Sequence, residues 1–258
     1  MSAVFDRGLE RARALRRGEP VATGWTAIPS AYTAAALARG GFGAVCMDMQ
    51  HGSHDEASVL TSLQSVHHSG SMPGFRIPVG RYDFASRALD GGAQIVIAPM
   101  INTPDDARTF AYETKYPPIG GRSWGPAIAL DMWGVTPADY LARANELVVT
   151  FAMIETVQAL ENLDAILDVP GIDGVFVGPS DLSLTLAAGQ RIEPLAPHVL
   201  ETAGSIAQAA KAKGKIAGVY AVDNEKARAY VAQGFALTAI ASDLIALKAF
   251  AASASKLD

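Results

Sequence analysis

Residues 174–183 read GVFVGPSDLS. The apolar run Val175-Phe176-Val177 has the length and the β-branched and aromatic content of a buried strand. It stops at Gly-Pro-Ser, which delivers a carboxylate, Asp181, where the chain leaves the core. The same event occurs 26 residues earlier, where FAMIET closes an apolar run from Leu147 to Ile154 with Glu155. One strand-helix-strand repeat therefore separates two acids, each at the tail of its own strand.

Working outward, the same unit recurs along the chain. Strand-like runs are predicted at 21–27, 43–47, 74–77, 94–98, 148–154, 174–177, 216–219 and 236–241. Helix-like stretches with apolar residues recurring at three and four are predicted at 32–39, 56–68, 84–91, 105–115, 159–167, 196–213, 224–233 and 244–256. Thr103-Pro104-Asp105 and Asp223 carry helix-start chemistry, and Gly40, Gly70, Gly91, Gly214 and Gly234 stand where helices should stop. Strict alternation implies a parallel sheet, and eight units in 258 residues imply an α/β protein with a single (β/α)8 barrel spanning residues 1–258. An open doubly wound sheet is disfavoured because its first strand usually ends in GxGxxG, whereas here it ends WTAIPS. Only the interval 116–145, with PPIGGRSWGPAIALDMWGVTP, breaks the rhythm. A stretch this rich in Gly and Pro is expected to be functional or interfacial.

Composition bounds the function. Hydrophobic residues at 50% and charged ones at 18% belong to a compact globular chain. The formal net charge of −5 and dispersed Lys and Arg give no basic stripe for nucleic acid. The single Cys46, in GAVCMD, reads as a small buried side chain and fits a reducing compartment. The charged N-terminus lacks the apolar stretch of a signal peptide, and no run has the length of a membrane span, so a cytoplasmic location is expected.

In a barrel the loops after the strands share one face, where active sites lie. The residues at strand ends are Trp25, Asp48 and His51, Arg76, Glu155 and Asp181. Glu155 and Asp181 sit on neighbouring strands about 4.8 Å apart, where two carboxylates repel unless a cation lies between them. A hard divalent ion that keeps positions for water and substrate oxygens is one reading, and helix-capping or solvated loop acids are the other. Arg76, in PGFRIP, is either an ion-pair partner of Asp48 or an oxyanion clamp. His51 is placed to take a proton near neutral pH, although a loop histidine is usually only that. No HxxxH or CxxC offers a zinc cage, and no lysine occupies a strand end, which disfavours Schiff-base chemistry.

MIETVQALENLDAILDVPGIDGVFVGPSDLS at 153–183 resembles the HpcH/HpaI aldolase family of class II pyruvate aldolases. DMQHG at 48–52, FRIPVG at 75–80, ALDGGAQIVIAPMINTPDDA at 88–107, YPPIGGRSWGP at 116–126 and YLARANELVV at 140–149 match in the same order. The resemblance implies a divalent-metal-dependent lyase that reversibly cleaves 4-hydroxy-2-oxo acids to pyruvate, or hydroxypyruvate, and an aldehyde. It implies Glu155 and Asp181 as ligands of Mg, Mn or Co, Arg76 on the pyruvyl oxygens, and His51 in proton transfer. Asp48 and Asp90 would orient and charge that pair, Gly178, Pro179, Ser180 and Asp181 would hold the substrate carboxylate, and Trp25 would line the pocket. It also implies a homohexamer built as a trimer of dimers, with the last helix exchanged between subunits.

Three positions depart from the family pattern: Gln50, Met153, and Ser123-Trp124 within Arg122-Ser123-Trp124-Gly125. Met153 removes a polar group near the metal, and Trp124 is expected to narrow the mouth, so acceptor recognition is expected in 116–145 or on a neighbouring subunit. Two other readings stay open: a CoA-thioester lyase of the citramalyl or malyl type, and a barrel that binds 2-oxo acids without turning them over.

Overall fold

The structure is a computed structural model that describes residues 2–221 and 223–255. Among these residues eight strands close one parallel barrel in chain order. They are β1 (Val21–Thr26), β2 (Ala44–Asp48), β3 (Met72–Arg76), β4 (Ile95–Ala98), β5 (Val149–Ile154), β6 (Gly174–Val177), β7 (Ile216–Ala221) and β8 (Phe235–Ser242). The helices are α1 (Ala3–Arg16), α2 (Ala31–Arg39), α3 (Glu56–His68), α4 (Tyr82–Asp90), α5 (Pro104–Thr114), α6 (Ala127–Trp133), α7 (Pro137–Leu147), α8 (Val157–Glu161), α9 (Leu163–Leu167), α10 (Pro179–Leu186), α11 (Pro197–Ala212), α12 (Asn224–Ala232) and α13 (Asp243–Ala254).

The barrel and all eight expected strands are present. The helix starts carry the expected chemistry. Thr103 caps α5 by accepting from Asp106 N, with Pro104 in the first turn, and Asp223 caps α12 by accepting from Lys226 N. Gly214 and Gly234, just past α11 and α12, take φ of 66° and 98°, a conformation that side chains with a Cβ resist.

Strand periodicity decides which residues point into the barrel. On β2, Val45 and Met47 pack outward against helices while Ala44, Cys46 and Asp48 face inward. The same alternation turns Trp25, Arg76, Met153, Phe176 and Tyr220 toward the interior near the strand C-terminal ends. The lower interior is filled by side chains such as Cys46, Ile97 and Phe151, all 2% exposed or less, so this part of the barrel is a packed core and the cavity lined by these strand ends lies at its top. Burial pushes the Cys46 thiol well above its usual range, in keeping with an inert core residue.

Several elements differ from expectation. The N-terminal segment forms α1, whose Ala12 and Leu15 close the bottom of the barrel while Phe5 and Leu9 pack against α6 and α7, with Gly8 against the Trp133 indole and Gln94 Nε2 donating to Gly8 O at 2.6 Å. The helix expected over 159–167 is two short ones, α8 and α9. They break at Asn162, whose Nδ2 donates to Asn102 O at 2.9 Å. The end expected for the last helix, Lys256, lies outside the described residues. Residues 179–186, for which no element is expected, form α10 with proline in its first turn.

The largest correction concerns 116–145. These residues follow α5, which runs antiparallel to the strands, and lead into the start of β5, so they lie at the strand N-terminal ends. There α6 and α7 pack against α1 and α4, and the Trp124 ring packs obliquely against Tyr116 and edge-on against Tyr140, with centroids 5.3 and 6.3 Å away. Within one chain Trp124 therefore does not narrow the mouth. The same end holds a buried charge network. Lys115 Nζ donates to Asp173 Oδ2 at 2.7 Å and to Val148 O at 2.6 Å, and Arg16 Nε donates to Asp173 Oδ1 at 2.9 Å. Burial opposes ionisation of Asp173, but the two cations outweigh it and hold the carboxyl well below the usual range.

Candidate active site

Asp48 and Arg76 are direct neighbours in the β2–β3 register. Both point inward at the last residue of their strands, so the guanidinium meets the carboxylate as a fork, with Nε to Oδ1 at 2.9 Å and Nη2 to Oδ2 at 2.7 Å. Trp25 Nε1 donates to Asp48 Oδ2 at 3.2 Å, and its ring lies 5.1 Å beneath the Arg76 Cζ. Burial raises the Asp48 pKa, but Arg76 more than offsets it and the net shift is downward, so Asp48 is ionised. Of the two alternatives open for Arg76, the ion pair with Asp48 is present, and its remaining nitrogen, Nη1, lies 4.0 Å from the Met153 sulfur with no carboxylate partner among the described residues.

Asp48 also shapes the next loop. Its Oδ1 accepts from the backbone N–H of Gln50 at 3.0 Å and of His51 at 3.3 Å, an Asx-type turn that projects the exposed His51 side chain to the cavity edge. Asp48 thus positions His51 through the backbone and not through the ring. Gly52 is required just beyond, since a Cβ there would meet Asp48 O at 2.3 Å.

Glu155 lies one residue past β5 and is 1% exposed. Its Oε1 accepts from Met100 N at 2.9 Å, a donor aimed by a backbone with φ of 55°, rare for methionine. Its Oε2 is buried without a partner. Burial, and then the charge of Asp181, push the Glu155 carboxyl up to about 7 against the opposing hydrogen bond from Met100 and the Arg76 charge. A Cβ at Gly178 would stand 2.5 Å from Oε2, so the glycine keeps that oxygen open. Asp181 follows on the first turn of α10, where the amides of Ser180 and Asp181 have no intrahelical acceptor and face the same cavity. A buried carboxylate oxygen with nothing to bind, a second acid beside it and a glycine cradle fit a hard divalent cation. Among the described residues no three or more His, Cys, Asp or Glu side chains cluster as a metal cage. Two protein carboxylates would leave the other positions to water and ligand oxygens.

The cavity these groups line measures about 330 Å³, at the small end for metabolite sites. It brings together Trp25, Asp48, His51, Arg76, Gly178, Pro179, Ser180 and Asp181, with Glu155 behind Gly178. Asp90 is not among them. It ends α4 at the opposite end of the barrel, where Arg122 Nη2 donates to it at 2.6 Å, so within one chain it neither orients His51 nor charges Arg76. The reason is that α4 runs antiparallel to the strands, which carries its last residue to the bottom. Lys115, the one buried lysine among the described residues, lies at that end as well. Sequence reasoning missed Met100, Phe176, Tyr220 and Leu244. Tyr220 met the criterion already in use, an aromatic residue closing a strand, whereas the Met100 amide has no sequence signal.

A profile of the family described as HpcH/HpaI aldolase/citrate lyase matches residues 23–249. The chain belongs to this family. A hydroxypyruvate/pyruvate aldolase of Rhizorhabdus wittichii is 39% identical over 91% of this chain and 92% of its own length. A 4-hydroxy-2-oxo-heptane-1,7-dioate aldolase of Klebsiella pneumoniae is 35% identical over 89% and 86%. The crystal structure of an HpcH/HpaI aldolase/citrate lyase family protein from Burkholderia cenocepacia superposes with a TM-score of 0.83 at 30% identity, covering 95% and 96% of the two chains. The barrel is thus that of the HpcH/HpaI family, and the protein is a carbon–carbon lyase.

Proposed function

We propose that this HpcH/HpaI member is a divalent-metal-dependent aldolase that reversibly cleaves 4-hydroxy-2-oxo acids to pyruvate, or hydroxypyruvate, and an aldehyde. The observation that carries this reading is the unpartnered, buried Oε2 of Glu155 beside Asp181, under a cavity that also receives the free Nη1 of Arg76. Glu155 and Asp181 would hold Mg, Mn or Co. Bound there, such an ion supplies Lewis acidity toward the 2-oxo oxygen and offsets the charge of the developing enolate.

The residues of the chain divide the remaining work. The amides of Ser180 and Asp181 receive the C1 carboxylate, and Gly178 and Pro179 shape that turn. Arg76, locked by Asp48 and stacked on Trp25, aims Nη1 at the oxygen on which negative charge grows as the C3–C4 bond breaks. His51 takes the C4 hydroxyl proton as the C3–C4 bond breaks, and the imidazolium so formed gives a proton to C3 of the enolate, which leaves as pyruvate; addition runs the same transfers in reverse. Trp25 and Phe176 keep bulk water from the nascent carbanion. Exhaustive chelation should abolish exchange of the pyruvate methyl protons with D2O, and added Mg²⁺, Mn²⁺ or Co²⁺ should restore it. Exchange that survives chelation would refute the reading.

We further propose a homo-oligomer, a hexamer built as a trimer of dimers, in which α13 beyond its Asp243-Leu244 anchor is exchanged between subunits. Ile245, Leu247 and Phe250 of α13 are 55%, 52% and 69% exposed, an apolar face that needs a partner. The outer surface of β8 and β1 in turn leaves a groove of about 430 Å³ lined by Ala22, Thr238 and Ile240. Leu247→Asp/Phe250→Asp should lower the mass seen by sedimentation equilibrium. An unchanged mass would contradict the exchange.

A further inference from the structure

The anchors for the 2-oxo acid come from β2, β3, β5 and β6, which leaves the opposite wall of the cavity without a role. That wall consists of Tyr220 at the end of β7, Ser242 at the end of β8 and Leu244 in the first turn of α13. Tyr220 meets the Trp25 ring edge to face at 5.6 Å, and Trp25 lies 5.9 Å from Phe176, so the surface is continuously aromatic up to the Leu244 rim, which is 40% exposed. Burial, with the Asp48 charge, keeps the Tyr220 phenol protonated and neutral.

The charged group that backs this wall is an acid. Behind Leu244, the Asp243 carboxylate is fixed by the amides of Ala27 at 2.8 Å, Ile28 at 3.2 Å and Leu244 at 2.8 Å. Among the described residues lining the cavity Arg76 is the one fixed cation. Two of its nitrogens are committed to Asp48, and the third faces Met153 on the 2-oxo-acid side. A second carboxylate, on the aldehyde half of a substrate, would have to shed water against aromatic and aliphatic carbon with Asp243 nearby and no counter-ion, which is costly.

We propose that Tyr220 and Leu244 form the acceptor wall and that it selects uncharged alkyl or hydroxyalkyl aldehydes over aldehydes bearing a carboxylate. The inference rests on the aldolase reading above and deepens it. The preferred 4-hydroxy-2-oxo acids are then monoacids, unlike the 1,7-dioate for which the Klebsiella pneumoniae relative is named.

Butanal and succinic semialdehyde test this, because they have four carbons each and differ only in a terminal methyl or carboxylate. The Mn²⁺-loaded, full-length protein is assayed for addition of pyruvate to each, and exchange of the pyruvate methyl protons in D2O is followed by NMR as a readout that needs no aldehyde. The expected result is exchange together with a kcat/KM for butanal at least about tenfold that for succinic semialdehyde, and a ratio moved about tenfold toward the semialdehyde in Leu244→Arg. Leu244 is a rim position, so the longer side chain reaches solvent without disturbing the core. Exchange with succinic semialdehyde used as well as or better than butanal would overturn the inference and leave the aldolase reading standing. An unchanged ratio in Leu244→Arg would overturn the placement of the wall. Absence of exchange would remove the aldolase reading and this inference with it.

Discussion

Arg76→Met should lower kcat/KM by about 10²–10³-fold, the usual effect of deleting one preorganised donor to a developing oxyanion. It should also destabilise the fold. Arg76 and Asp48 are 8% and 3% exposed, and removal of one partner leaves a buried carboxylate uncompensated, at a cost of about 3–5 kcal/mol. In a chain this long that corresponds to roughly 10 °C in Tm. Arg76→Met/Asp48→Leu separates the two effects. It removes the orphaned charge along with the guanidinium, so most of the lost stability returns, short of about 1 kcal/mol for each donor that Asp48 leaves behind. Those donors are Trp25 Nε1 and the amides of Gln50 and His51. Activity should not return with the stability. A stable double variant with wild-type turnover, measured by thermal melts and pyruvate exchange on the same sample, would show that Arg76 serves only the fold.

Glu155→Gln should abolish turnover while making the metal-free protein more stable above neutral pH. The wild-type carboxyl is raised from 4.5 to about 7, chiefly by burial. A carboxyl raised on folding contributes stability that is fully present below about pH 4.5 and is lost as pH climbs through 7. The metal-free fold is then weaker by about 3 kcal/mol at pH 8 than that site allows at pH 4.5. Glutamine has no charge to desolvate and still offers an oxygen to the Met100 N–H. The variant's metal-free melting temperature should therefore exceed that of the wild type at pH 8 and converge on it near pH 5. Added Mn²⁺ should stabilise the wild type more at pH 8 than at pH 5.5, because at the lower pH it must displace a proton, and should leave Glu155→Gln unmoved. Equal melting curves at pH 8 for the two metal-free proteins would contradict this assignment.

The barrel was readable because short apolar runs alternate with amphipathic helices along the chain, several of the runs followed by a polar or aromatic residue and several of the helices opened by a capping residue. Their positions at the ends of β2 and β3 then put Asp48 and Arg76 on the face where the barrel's loops gather. What sequence did not yield has identifiable physical causes. Helix α1 escaped because its surface Arg and Glu residues mask the spacing of Phe5, Leu9, Ala12 and Leu15, which are buried by contacts distant in sequence, the first two against α6 and α7 and the last two against the barrel interior. The Gly- and Pro-rich run at 116–126 hid the two helices behind it. Its location at the bottom of the barrel follows from chain direction, a property of topology and not of composition. Asp90 shares this cause, since a residue that ends a helix in such a barrel stands far from the residues that end strands. The Met100 amide that holds Glu155 is a main-chain group in an uncommon conformation, and no side-chain pattern reports it.

The central claim is that Glu155 and Asp181 jointly hold one divalent cation on which a 2-oxo acid is oriented. Anomalous diffraction from crystals soaked in Mn²⁺ and pyruvate tests it most directly. The account predicts a single strong peak per chain in contact with Glu155 Oε2 and Asp181, with pyruvate oxygens completing its shell and Arg76 Nη1 on the 2-oxo oxygen. A peak elsewhere, or pyruvate seated in the cavity with those two carboxylates turned away from any ion, would contradict it.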